Sequence, residues 1–405
     1  MKVAKMKKLL DFTIFALAFL LLSLFIRPTK GKEKIIGFAA WQFSGNIKYL
    51  YLEMEKHPNL KVFFVSGEKD EIEKAKKMGV DARYYLDVKS IPLFLKTNAW
   101  ITSHGPNYIP FSGLIQRVLP FLKWKHGSKW IDVWHGIGWK PTNRRKFLKD
   151  YDLAIETSEF FKKLLSGGDN YLASKIKITG YPRNDPLIEG KWSIENIEKE
   201  LGIPANRKNI LYAPTWGHKY RKKFFPWEET TKFLDEIEKF CEKNACNFLV
   251  RMHPNWYILE TEQKRLLETE IKNKKWIFHI PSYKFADPQP VIYISHVLIT
   301  DWSSIANDFI LLNRPIIFLD TPFPGKEFVL PPEDRAGHIV KNKEEFFKAL
   351  NEAIKDPKIF EEKRRKILRK LYKYIDANSS KRCIKEIIKL INSEKSEKTE
   401  HASIR

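Results

Sequence analysis

Val297 to Asp320 reads V-L-I-T-D-W-S-S-I-A-N-D-F-I-L-L-N-R-P-I-I-F-L-D, and this stretch narrows the choice of fold more than any other. An apolar run, Val297 to Thr300, stops at Asp301. Two serines follow, Ile305, Phe309 and Leu312 recur at helical spacing, and Pro315 opens a second apolar run, Ile316 to Leu319. Such a pattern predicts a βαβ unit of parallel-sheet type. The turn after its first strand lies at the sheet edge where ligands bind, and there the helix N-terminus offers unpaired N–H groups and a positive dipole end. Ser303 and Ser304 fall at that turn. Their hydroxyls suit either capping the helix or joining the free N–H groups around a phosphate, and the local pattern leaves both open.

The same alternation runs through the chain. Strands are predicted over 34–43, 62–65, 82–86, 99–102, 130–134, 153–156 and 176–179, with helices over 47–56, 69–78 and 158–165 between them. A helix over 192–201 bridges to a second series, with strands over 209–213 and 247–252 around a helix over 227–241, and then the unit at 297–320. With 405 residues, 43% of them hydrophobic, the chain has material for more than one core. The expected division is a first α/β domain over 33–190, a second over 191–345, lysine-rich helices over 346–392 and a polar, disordered tail over 393–405.

Residues 1–32 are different. Leu9 to Ile26 is apolar except for Asp11, Thr13 and Ser23, and lysines or arginine flank both sides. At about 18 residues it is at the short end for a spanning helix. No small-x-small cleavage site follows it, so a membrane anchor is expected rather than a signal peptide. Positive charge on both flanks also suits a helix that enters one leaflet and stays on the cytoplasmic face. Cys241, Cys246 and Cys383 form neither a disulfide framework nor a zinc pattern, in keeping with a reducing compartment.

The net charge of +23 favours an anionic partner, whether nucleic acid, acidic membrane or a phosphate-rich substrate. The basic residues are spread over helix faces, and no zinc module, RNA-binding aromatic motif or helix-turn-helix is present, so nucleic acid is not the expected partner. Polar residues gather instead where strands end. His135 and Gly136 follow the strand at 130–134, where a glycine lets backbone pass close to a ligand, and a loop hydrogen bond is the plainer role for the histidine. Arg251, a residue type suited to phosphate oxygens, lies two positions before His253, with a structural ion pair and a loop hydrogen bond as the plainer roles.

Five of these segments together carry a resemblance: W-H-G-I-G-W-K at 134–140, G-Y-P-R-N-D at 180–185, Y-A-P-T-W at 212–216, R-M-H-P at 251–254 and T-D-W-S-S-I-A-N-D-F at 300–309. In this order they resemble the CDP-glycerol glycerophosphotransferase family, the membrane-associated polymerases and primases of teichoic acid synthesis, over about residues 100 to 345. The resemblance implies a GT-B arrangement of two Rossmann-like domains facing across a cleft. It implies a CDP-glycerol or CDP-ribitol donor, and transfer of the polyol phosphate to a lipid-linked or polymeric acceptor with release of CMP. His135 and His253 match the two family histidines required for transfer. Asp301, Ser303 and Ser304 match the donor pyrophosphate segment, and Asp308 matches an acidic position in the next helix. Thr215 joins Arg251 in this donor-phosphate group, and Gly136, Lys140, Arg183, Asn184 and Asp185 are further cleft candidates. Family members commonly read H-G-T-P-L-K where this chain reads H-G-I-G-W-K, so the altered loop bears on the acceptor rather than on the reaction.

Attack of a hydroxyl on the β-phosphorus needs a base, donors for the phosphoryl oxygens and support for the departing CMP. His135 is assigned as general base, and His253 with Arg251 as leaving-group stabilisers. No metal or other cofactor is expected. A nucleotide-sugar glycosyltransferase of the same fold and a non-catalytic membrane-surface protein are the alternatives. The oligomeric state has no signal in the sequence.

Overall fold

In the computed structural model the described residues are 2–110, 126–136, 144–215, 224–254, 256, 262–321 and 330–393, with side chains described from residue 11 onward except at 263. They form two compact units. The first comprises Met1–His135, Asn143–Asp185 and Asn378–Arg405, and the second Gly136–Thr142 and Pro186–Ala377.

The first unit is built on seven strands: β1 (Lys34–Ala39), β2 (Leu60–Ser66), β3 (Ala82–Tyr84), β4 (Ala99–Thr102), β5 (Lys129–Asp132), β6 (Leu153–Glu156) and β7 (Ile176–Ile178). Their order is β3-β2-β1-β4-β5-β6-β7, with every pairing parallel. β4 and β6 are buried at every position, as expected for a parallel sheet covered on both faces. Ala39 pairs with Thr102 and Thr102 with Asp132, so β1, β4 and β5 end level and their following loops leave the sheet side by side. The second unit has β8 (Lys208–Tyr212), β9 (Cys246–Val250), β10 (Ile277–His279), β11 (Val297–Thr300), β12 (Ile316–Leu319) and β13 (His338–Val340), in the order β10-β9-β8-β11-β12-β13, again all parallel. The helix Thr230–Lys243 lays Phe233, Leu234, Ile237 and Cys241 on it, a helical stripe that packs with Phe248 and Val250.

Two departures from the expected division have physical causes. Chain beyond residue 377 returns to the first unit, because the helix Ser379–Asn392 buries Cys383, Ile384 and Ile387 against Ile36, Leu50 and Tyr51. The first helix, α1 (Lys2–Ser23), is not a separate body: Phe15 and Phe19 insert among Phe63, Phe94 and Trp100 of the first unit. No helix among the described residues is long and apolar enough to cross a membrane. The opposite side of the same segment leaves Ile14, Leu17, Leu20, Leu21, Leu24 and Phe25 exposed, Phe25 by 84%. Of the tail expected over 393–405, only Ser393 lies within the described residues.

Candidate active site

In the first sheet the strand order reverses between β1 and β4, and ligands of open parallel sheets bind beyond the carboxyl ends at such a point. Asn46, near the start of α2 (Gly45–Met54), organises that edge. Its buried amide donates to the carbonyls of Val133 (2.7 Å) and Trp134 (2.9 Å), and its Oδ1 accepts from the Arg183 backbone N–H (3.2 Å). One side chain therefore ties together the loops after β1, β5 and β7. Trp134 takes a left-handed backbone (φ 45°) and donates its N–H to Asp132 Oδ1 (2.9 Å), while Gly136 has φ 112°, where a side chain would be strained. His135 stands between them. Its Nδ1 lies 2.9 Å from the Ser103 carbonyl, and since a carbonyl only accepts, Nδ1 carries the hydrogen and Nε2 keeps the lone pair.

Under this edge Arg144 is fully buried. It pairs with Asp132 at 2.6 Å and with Glu156, donates to the Ile155 carbonyl at 2.9 Å, and lies 5.2 Å from the Trp134 ring centre. Burial opposes the Arg144 charge, but Asp132 and Glu156 outweigh it and the guanidinium stays charged; burial also holds the Glu156 carboxyl above the usual range, against the pull of Arg144. His135 is affected in the opposite sense. Its residue keeps solvent access, yet the protein crowded around the ring desolvates it and pushes its pKa well below the ordinary histidine value, with His104, Arg183 and Arg144 acting the same way against the Ser103 bond. His135 therefore stays neutral through the range where a free histidine protonates.

The G-Y-P-R-N-D segment divides between support and scaffold. Gly180 (φ 82°) lets Ser379 approach so closely that a Cβ there would meet its Oγ at 2.4 Å. Arg183 donates to the His135 carbonyl and stacks over Tyr181 at 5.1 Å. Asn184 is buried. Asp185 accepts from the N–H groups of Ser379 (2.9 Å) and Ser380 (2.7 Å), so this candidate is committed to the N-terminus of the helix Ser379–Asn392. Lys140 lies outside the described residues.

In the second unit the order reverses between β8 and β11, and a hydrogen bond bridges that point: Thr215 N–H donates to Asp301 Oδ1 at 2.9 Å. Asp301 is buried, and its carboxylate positions the loop after β8. Ser303 and Ser304 follow at half-buried positions, and Ser304, at the N-cap of the helix Ile305–Phe309, makes no side-chain capping bond. Of the two roles open to it from sequence, capping by its hydroxyl is not used. Arg251 is buried beyond β9 and donates to the Ala286 carbonyl at 3.0 Å, while His253, two residues on, is exposed. Asp308 is buried in the short helix and faces the Gln289 amide at 3.4 Å. Among the described residues no cluster of three or more His, Cys, Asp or Glu is arranged to hold a metal ion.

Three organising side chains escaped sequence reasoning. Asn46 and Arg144 sit in the first turn of α2 and in a short helix, with no motif of their own. His104 belongs to a strand-end segment, Ser103-His104-Gly105-Pro106, whose position after β4 is the signal that could have found it.

Two doubly wound parallel sheets, each with polar side chains gathered at its point of strand reversal, define an α/β protein of the GT-B-like type. The fold is similar to that of the wall teichoic acid polymerase TagF, with a TM-score of 0.71 at 21% identity over 97% of this chain and 98% of the other. In sequence the chain is 25% identical over 371 residues to the teichoic acid ribitol-phosphate polymerase TarL of Staphylococcus aureus, covering 85% of this chain and 60% of that one. It is 24% identical over 413 residues to the teichoic acid glycerol-phosphate transferase of the same organism, covering 95% and 98%. The chain belongs to the CDP-glycerol:poly(glycerophosphate) glycerophosphotransferase family, whose model matches residues 21–389.

Proposed function

We propose that the protein transfers glycerol phosphate, or a related polyol phosphate, from a CDP-alcohol to a hydroxyl of a lipid-linked or polymeric acceptor, in synthesis of a teichoic-acid-like surface polymer. The observation that carries this reading is the presentation of His135: a neutral imidazole with Nδ1 committed to a carbonyl and Nε2 left to accept a proton, at a strand end in a chain of this family. The acceptor oxygen attacks the β-phosphorus as its proton passes to Nε2. The bond from that phosphorus to the bridging oxygen breaks, and CMP leaves with the electron pair. Arg251 and His253 meet the donor phosphates and the departing CMP, with Ser303, Ser304 and Thr215 beside them. The test is CMP release by the purified protein offered CDP-glycerol, CDP-ribitol and a panel of nucleotide sugars. Turnover of a CDP-alcohol supports the reading, whereas turnover of a nucleotide sugar alone overturns the donor.

In this reading no metal takes part, because arginine, histidine and backbone donors neutralise the phosphoryl charge. Turnover is expected to survive EDTA; complete loss restored by magnesium would contradict it.

The same reading places the protein on the cytoplasmic face of the membrane. The outward side of α1 and the turn after it presents six large apolar side chains to water, with Lys2, Lys5, Lys7 and Lys8 before it and Arg27, Lys30 and Lys32 after. An apolar stripe between basic flanks suits entry into one anionic leaflet with the helix in the plane of the surface. The double substitution Leu17→Glu with Leu21→Glu is expected to lower cosedimentation with phosphatidylglycerol vesicles by at least about tenfold, since each leucine contributes roughly 2 kcal/mol on burial. Unchanged vesicle binding would remove this face from the membrane contact.

A further inference from the structure

His104 is absent from every motif that carries the family resemblance, yet its ring is the closest match to the plane of the His135 ring: the centroids are 4.2 Å apart and the planes 3° from parallel. The two histidines share Ser103 as a bracket. Its carbonyl takes Nδ1 of His135 at 2.9 Å, and its hydroxyl lies 2.8 Å from Nδ1 of His104. Tyr108 approaches the His104 ring at a steep angle (6.1 Å, 63°), and Trp134 lies 4.3 Å from the His135 ring. The register explains the meeting. β4 and β5 are neighbours that end level at Thr102 and Asp132, so the second residue beyond one strand faces the third beyond the other.

We propose that His104 is a positioning residue for the transfer, its stacked ring fixing the plane in which His135 presents Nε2 to the acceptor hydroxyl and keeping His135 neutral until that proton arrives. A single hydrogen bond at Nδ1 restrains the Cβ–Cγ torsion of His135 but leaves its ring able to tilt and to flip when that bond breaks, and a parallel ring at van der Waals distance limits both motions. A second imidazole in contact also disfavours two positive charges, so His135 receives the acceptor's proton only while His104 is neutral. Among the described residues the groups that face the pair are Ser103, Tyr108, Trp134, Arg183, Arg144 and Asp132. The two arginines oppose protonation of His135, whereas Asp132 favours that of His104. Proton transfer from the acceptor hydroxyl to Nε2 is the step of the proposed reaction on which the inference rests; the placement of the ring does not depend on which donor is used.

The experiment reads the imidazole directly and then the kinetics. In full-length protein with 15N-labelled histidines, the His135 signals, assigned by their loss in His135→Asn, are expected to show the Nδ1–H tautomer and no protonation near pH 6. His104→Ala is expected to mix the tautomers and move the His135 titration toward the ordinary value of about 6.5. With a CDP-alcohol that the enzyme turns over, the same variant is expected to lose about 10- to 100-fold in kcat, with little change in donor KM, and to shift the acid limb of the pH profile upward. His104→Phe keeps a stacked ring without a titrating group and is expected to hold the tautomer and most of kcat. A His135 tautomer and titration unchanged in His104→Ala would overturn the inference, as would full loss of turnover in His104→Phe with the His135 signals intact, which would mark His104 as chemically reacting. If the protein turns over no CDP-alcohol, the proposed function fails while the NMR comparison still decides the role of His104.

Discussion

Replacing His135 with alanine is expected to lower kcat for polyol-phosphate transfer by about 10²- to 10⁴-fold, the range general base catalysis supplies, while leaving the unfolding midpoint close to that of the wild type. The size follows from how completely the side chain is arranged for one task. Nδ1 is held by Ser103, the ring is stacked on His104, the backbone oxygen is held by Arg183 and the preceding residue sits in a left-handed conformation. None of these contacts contributes much to the core, so the loss falls on chemistry. Glutamine, which offers no proton-accepting nitrogen, is expected to be as inactive as alanine. The pH profile gives a separate check. With the His135 pKa depressed by desolvation, the neutral base persists below the ordinary histidine value, so the acid limb of kcat/KM should lie below about pH 6.5. The same depression makes the unfolded chain the better proton binder as pH falls past that value, so His135 lowers stability in acid and has no such effect above it. An His135→Ala enzyme with more than a tenth of wild-type kcat would remove this residue as the base.

The second large effect concerns Arg144, and it is one of stability. Arg144→Met is expected to cost about 3–5 kcal/mol, a large share of the 5–15 kcal/mol typical of a domain, because it leaves two carboxylates buried without their cation. Asp132 and Glu156 have no access to water that could replace the guanidinium. Lysine is expected to rescue little, since a single ammonium cannot reach Asp132, Glu156 and the Ile155 carbonyl in the fork geometry that Arg144 uses. The sign of the pH dependence is set by Glu156, whose carboxyl burial already holds above the usual range. A group raised in this way contributes stability at low pH and loses it as pH climbs through the folded value. With Arg144 gone the carboxyl rises further, so the destabilisation measured by denaturant should be smaller near pH 5 than near pH 8. Equal loss at both values would mean that the carboxylates find other partners.

Much of this molecule can be read from local sequence, and the boundary of what can be read is physical. β4, β6, β11 and β12 coincide with apolar runs because a strand buried on both faces has no alternative to apolar residues. β10 and β13, three residues each at the sheet edges, carry no such run. His135, Arg251, His253 and Asp301 could be singled out from sequence because strand ends in a parallel sheet are where ligands bind, and each lies just beyond a strand in the fold. Asp185 shared that signal but serves a helix 194 residues away in sequence, a partnership that no local pattern reveals. Asn46, 87 residues from the Val133 carbonyl it holds, was invisible for the same reason. α1 shows a different limit. Its stretch from Ile14 to Leu22 is apolar on all sides, so no periodicity says that Phe15 and Phe19 would be claimed by a core, and only packing separates its inward side from the outward one.

The most direct measurement is acceptor-dependent release of CMP from CDP-glycerol and CDP-ribitol by purified wild-type, His135→Ala and His253→Ala proteins, with a lipid-linked glycerol-phosphate acceptor present or omitted. Release by the wild type only when acceptor is present, and its loss in both variants, is the expected result. No release from either CDP-alcohol, or release that persists unchanged in both variants, would contradict it.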